Sequence, residues 1–149
     1  MFTKILCADD LGEHSLEVLR TALDLARRYG AHLTVLNARE DFMNEEEMVM
    51  LRVDASNFQE DMRKKALAVQ RHIHDDIASF QGQDVAVDIL LREGKPEKVI
   101  IDVAREINAD LIVIGTHGIS GLKDRLFGAT SQEVIQHAGR TILAVWNRK

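Results

Sequence analysis

The sequence predicts a single α/β domain, a doubly wound parallel sheet with helices packed on both faces. Three observations predict it. Short apolar segments of strand character alternate with longer segments whose apolar residues recur every three or four positions. Leu111 to Ile114 is apolar at every position, as a strand covered on both faces must be. The 149 residues suit one domain, 1–149, and their single proline and lack of repeats or low-complexity tracts mark no internal boundary.

Phe2 to Ala8 is the expected first strand. Ser15 to Tyr29 reads as a helix with Leu16, Leu19, Leu23 and Ala26 on its apolar stripe. Gly30 follows directly, where a left-handed residue closes a helix. His32 to Asn37 is the second strand. From Glu45 to Gln81 neither Gly nor Pro occurs, yet one helix of that length would span about 55 Å, too long for this domain. Ser56-Asn57-Phe58-Gln59 has the Ser-to-Gln spacing of a capping box, which starts the long helix near Asn57. Phe58, Met62, Ala66, Val69, Ile73, Ile77 and Phe80 then share one stripe. The preceding stretch, Glu40 to Ala55, is acidic and carries Met43, Met48 and Met50; a short helix or a mobile flap is expected there.

Asp84 to Leu91 alternates through Val85, Val87, Ile89 and Leu91 and is the third strand. Gly94-Lys95-Pro96 opens the next helix, with Pro96 suited to the first helical position and Val99, Ile100, Val103, Ala104 and Ile107 as its apolar stripe. Leu111 to Ile114 is the fourth strand. A last helix opens at Gly128-Ala129-Thr130-Ser131 and carries Val134, Ile135 and Ala138, and Thr141 to Trp146 is the fifth strand.

Composition narrows the function. The net charge of −5 gives no electrostatic footprint for nucleic acid or an anionic membrane surface. The apolar runs fall far short of the ~20 residues of a membrane span. The N-terminal run Met1 to Asp10 lacks the pattern of a signal peptide, and the single cysteine, Cys7, cannot form an internal disulfide. A cytoplasmic location is expected.

In open parallel sheets ligands sit beyond the carboxyl ends of the strands, where strand order switches. The residues at those ends are Ala8-Asp9-Asp10, Asn37-Ala38-Arg39, Arg92-Glu93-Gly94 and everything after Ile114. Four of the nine glycines, Gly115, Gly118, Gly121 and Gly128, fall within fourteen residues. Glycine-rich backbone can cradle a phosphate through its N–H groups, and the start of the last helix presents further free N–H groups, with the Thr130 and Ser131 hydroxyls beside them. The loop matches neither the Walker A pattern nor Gly-x-Gly-x-x-Gly. The spacing alone fits equally a plain strand-to-helix connection with Ser131 as N-cap.

The sequence resembles the universal stress proteins. The family pattern Gly-x-x-Gly, nine residues, Gly-[Ser/Thr] is met at Gly115, Gly118 and Gly128. The likeness extends to Lys4-Ile5-Leu6 leading to Asp10, to Gly94-Lys95-Pro96, to Asp110 through Gly115, and to Gly118-Ile119-Ser120-Gly121-Leu122. One departure is Ala129, where ATP-binding members carry Ser or Thr. The resemblance implies five strands in the order 3-2-1-4-5. It implies adenine and ribose near Ala8, Asp9 and Asp10, and the adenine edge against the main chain at Ala38. Gly115, Thr116, His117, Gly118, Ile119, Ser120 and Gly121, with Gly128, Ala129, Thr130 and Ser131, would wrap the ribose and phosphates. The implied function is a small stress-response protein that binds ATP with little or no turnover. Magnesium would be held through the ATP phosphates rather than by the protein alone. A homodimer through Thr141 to Trp146 and a protein partner of unknown identity are also implied.

Other groupings carry less. On a helix His72 and His74 point about 200° apart and cannot share a metal, so they read with Asp75 and Asp76 as a solvated face. His117 is placed to touch a phosphate and His137 to end a helix. Lys123 and Arg125 read as loop residues, Glu45-Glu46-Glu47 as a solvated face, and Cys7 as a small core residue. No Ser/His/Asp set emerges, so no enzyme is expected. Two alternatives remain: a dimeric interaction module of the same family without nucleotide, which Ala129 favours, and a phosphorylation receiver, suggested by Asp9-Asp10. The receiver reading lacks a phosphoacceptor Asp at Leu90 to Gly94.

Overall fold

The apolar segments pair as five strands joined through four helices. They are β1 (Lys4–Ala8), α1 (Ser15–Tyr29), β2 (His32–Arg39), α2 (Ala55–Ser79), a 3-10 turn (Gly82–Asp84), β3 (Val87–Glu93), α3 (Pro96–Glu106), β4 (Leu111–Gly115), α4 (Ala129–His137) and β5 (Thr141–Val145). The computed structural model describes residues 1–40, 55–116 and 129–146, with the backbone alone at 55–59 and 129. The strands form one parallel sheet in the order β3-β2-β1-β4-β5, as the resemblance implied.

Alternation along the strands divides the core between the two faces. Ile5, Cys7, Leu33, Val35, Leu111 and Val113 turn to the side of α1 and α2, where they meet Leu19, Leu23 and Ile73. Leu6, Leu36, Ile112 and Ile114 turn to the side of α3 and α4, where they meet Ile100, Val103 and Val134. Each fully buried Leu or Ile contributes about 1.5–3 kcal/mol of transfer free energy.

Several boundaries differ from expectation. The buried face of α1 runs through Ser15, Val18, Leu19, Ala22, Leu23 and Ala26, and Leu16 is exposed. The small residues Ala22 and Ala26 let the helix approach the sheet, which leaves Leu16 at the margin. The long helix starts at Ala55, so Ser56 lies inside it and is not its cap. β2 continues two residues past Asn37 to Arg39, and β3 continues to Glu93, because Arg39 and Glu93 still pair. β3 begins at Val87 rather than Asp84. The Arg27 guanidinium donates to the Asp84 carboxylate at 2.9 and 3.1 Å and to the Gln81 carbonyl at 3.1 Å, holding that segment as a turn. Gly82 is buried there; a Cβ would lie 2.8 Å from Ile77 Cγ2. β5 ends at Val145, one residue before Trp146. Ile107 follows the last turn of α3 and is half-buried.

Gly30 has φ +62° and closes α1 as expected. Gly94 has φ +140°, and its N–H donates to the Arg39 carbonyl at 2.8 Å. Pro96 then starts α3. Residues 41–54, with Glu45-Glu46-Glu47 and most of the acidic, methionine-bearing stretch, and Lys123 and Arg125 lie outside the described residues.

Candidate functional site

β1 sits at the centre of the sheet, with β2 on one side and β4 on the other. The chain leaves β1 toward β2 and leaves β4 toward β5, so the connections diverge above the β1/β4 pair. A cleft opens at such a divergence. Ala8, Asp9 and Asp10 form its floor at the end of β1, with Leu36 and Ala38 of β2 beside them. Ile114 and Gly115 of β4 and Thr130 and Ser131 of α4 form one wall. Pro96 and Ile100 of α3 and His14, Ser15 and Val18 around the start of α1 complete it.

The two aspartates are fixed by their own turn. Asp9 Oδ1 accepts from the Leu11 N–H at 2.9 Å and Asp10 Oδ1 from the Gly12 N–H at 2.8 Å. Asp10 is exposed, whereas Asp9 is 2 % exposed and its Oδ2 has no hydrogen-bond partner among the described residues. Burial is the main reason that the Asp9 carboxyl is pushed up to about 6; the charges of Asp10 and Asp76 add to it, and the Leu11 N–H and His72 oppose it. The Asp9 main chain is held from β2 by its N–H to the Leu36 carbonyl and by Asn37 Nδ2 to its own carbonyl, both 2.8 Å.

Seven residues singled out from the sequence therefore converge on one cleft: Ala8, Asp9, Asp10, Ala38, Gly115, Thr130 and Ser131. Two of the expected roles change. Thr116 is buried and its N–H donates to the Val145 carbonyl at 3.2 Å, so it extends the sheet and is not a wall of the cleft. Ser131 lies in the first turn of α4, not before it, and its Oγ donates to the Gly115 carbonyl at 2.6 Å. That proton ties α4 to the end of β4, so the Ser131 hydroxyl has no donor left for a phosphate. Ala129 is the first residue of α4. His117, Gly118, Ile119, Ser120, Gly121 and Gly128 lie outside the described residues.

Sequence reasoning missed the apolar walls, Val18, Leu36, Ile100 and Ile114, because each reads simply as core. It also missed Asn37 as a clamp on Asp9; the one signal was an amide inside an apolar strand. His72 and His74 are exposed, 3.3 Å from Asp76 and 3.8 Å from Asp75. His137 ends α4, 3.5 Å from Glu133. Among the described residues no helix is long and apolar enough to cross a membrane.

The sequence model of the family described as "Universal stress protein family" matches residues 1–145. The chain belongs to the universal stress protein family. A universal stress protein from Bacillus subtilis, YxiE, is 29% identical over 150 residues, covering 97% of this chain and 99% of its own. Among solved structures, the universal stress protein UspA from Lactobacillus plantarum superposes with a TM-score of 0.79 at 20% identity, over 96% of this chain and 97% of its own. Two universal stress proteins were solved with nucleotides. One, in complex with cAMP, has a TM-score of 0.71 at 19% identity over 97% of each chain. The other, from Archaeoglobus fulgidus in complex with dAMP, has a TM-score of 0.63 at 18% identity over 97% of each chain. These likenesses establish the doubly wound fold of the present universal stress protein.

Proposed function

We propose that this universal stress protein is a cytoplasmic, homodimeric regulator that binds an adenine nucleotide, ATP with magnesium on its phosphates, and turns it over slowly or not at all. The observation that carries the reading is the convergence of seven sequence-selected residues on one cleft at the β1/β4 divergence. Its parts fit the ligand. Leu36, Ala38 and Ile100 offer apolar surface for a purine ring. The outer oxygen of Asp10 is an acceptor for ribose hydroxyls. The first N–H groups of α4, at Ala129 to Ser131, suit phosphate oxygens, and magnesium would neutralise the charge those donors leave. The cAMP- and dAMP-bound relatives share the fold and support an adenine ligand.

A binder fits better than an enzyme. Asp10 Oδ1 and the Ser131 hydroxyl are already engaged with the main chain at Gly12 and Gly115, which at these two groups suits contact more than proton transfer.

Calorimetric titration of the full chain with ATP and magnesium tests the reading. One site per chain is expected, and Ala38→Trp, which fills the floor, should weaken binding at least about tenfold. No saturable heat with ATP, cAMP or dAMP would favour the interaction-module reading, with Ala129 as the lost hydroxyl.

A further inference from the structure

The sheet carries a second cleft, on the face opposite Leu36 and Ile100. α2 lies over that face; its Val69, Ile73 and Ile77 are buried there, whereas Met62 and Ala66, nearer its start, are only half-buried. This cleft lies between this part of α2 and the ends of β2 and β3. Its floor is apolar, made by Met62, Ala66, Val69 and Leu91.

Two further observations give it a chemistry. The first is Asn37, which lines the cleft and is 3 % exposed. The Asp9 carbonyl can only accept, so Asn37 Nδ2 is the atom turned toward β1, and Oδ1 diverges from it. Oδ1 has no partner among the described residues, and a buried amide oxygen calls for a donor. The second is the rim. Among the described residues Arg39, Arg63, Lys65 and Arg92 line it with one acid, Glu93, in a chain of net charge −5. Arg92 is occupied by Glu106 at 2.7 and 2.8 Å, and Arg39 also has a partner. Arg63 and Lys65 form no ion pair among the described residues.

We propose that this cleft binds a small amphipathic anion bearing a hydroxyl or amide donor, its apolar body on Met62, Ala66 and Leu91, its acid on one of the two cations that flank this stripe, Arg63 or Lys65, and its donor on Asn37 Oδ1. The same amide holds the Asp9 carbonyl in the floor of the first cleft, so occupancy on one face of the sheet bears on the other, in both directions. That coupling rests on the nucleotide reading; binding in the second cleft does not.

The test titrates the full chain, below micellar concentrations, with 3-hydroxydecanoate, decanoate and 1,3-decanediol. The hydroxy acid is expected to saturate one site per chain. Losing either the hydroxyl or the acid should weaken binding at least about tenfold. Ala66→Trp, which fills the floor, and the pair Arg63→Glu with Lys65→Glu, both exposed, should abolish it with far-ultraviolet dichroism unchanged. Absence of saturable binding, equal affinity for the three probes, or undiminished binding to the folded variants would overturn the proposal. Loss of ATP binding with retention of the hydroxy acid would instead count against the nucleotide reading alone.

Discussion

Asp9 and Asp10 are neighbours in sequence and opposites in environment. Both were legible as polar residues ending a strand; that one is buried was not, because burial comes from α1 and α2 closing over β1. The folded state favours the protonated form of Asp9, so this residue's contribution is most favourable below about pH 4 and is lost as the pH rises through about 6. The displacement from the ordinary 3.8 corresponds to roughly 3 kcal/mol. Asp9→Asn keeps the acceptor for the Leu11 N–H and removes the charge. It should stabilise the protein by up to about 3 kcal/mol at pH 8 and by nothing below about pH 4, as read from urea unfolding at each pH. At the phosphate end, the Ser131 proton is committed to Gly115, so a hydroxyl at 129 would not duplicate it. Ala129→Ser should tighten ATP binding by about 1.5 kcal/mol, near tenfold, in calorimetric titration.

Elements were legible where periodicity is strong, and their ends were not where tertiary contacts set them. α1 and Gly30 match expectation because helix period and C-cap are both local signals. The start of β3 does not, since the turn before it is held by Arg27, a residue 57 positions from Asp84. Two of the three positive-φ glycines among the described residues, Gly30 and Gly94, separate local from tertiary constraint. Gly30 meets nothing within 4 Å of an added Cβ, so Gly30→Ala pays only for its backbone, roughly 1 kcal/mol. At Gly94 the Cβ would lie 2.8 Å from Val99 Cγ2, and φ is +140°. Gly94→Ala should therefore lose roughly 2–4 kcal/mol in denaturant unfolding and loosen the β3–α3 junction that places Pro96 and Ile100 in the first cleft.

At the scale of the molecule, strand order is the property that the sequence alone left open and the family resemblance supplied. It puts β5 at an edge, where among the described residues it pairs with β4 alone. Leu143 and Trp146 are 36 % and 48 % exposed beside that edge, a surface prone to pairing. A second copy set antiparallel on it is the arrangement we propose for the dimer, and sedimentation at tens of micromolar, an order-of-magnitude concentration, should give twice the chain mass. Val145 accepts from Thr116 and so faces β4; the alternating residues Ile142 and Ala144 face the open edge. Ala144→Pro removes an outward donor without breaking the β4 ladder and should give folded monomers. A monomeric wild type would defeat the arrangement.

Cys7 lies midway along β1, fully buried and paired between Val35 and Val113. It is also the only thiol in the chain. Burial, followed by the charges of Asp9 and Asp10, pushes that thiol upward and keeps it in its unreactive form. A disulfide reagent such as Ellman's can reach it only when α1 and α2 lift from their face of the sheet. The rate of colour release is then a gauge of how often that helix layer opens, without any engineered label. On the proposed nucleotide reading, and with no ATP bound to the opened form, ATP should slow it by the factor 1 + [ATP]/Kd, so kinetic traces on the unmodified protein would read out both the opening of this layer and the affinity for ATP.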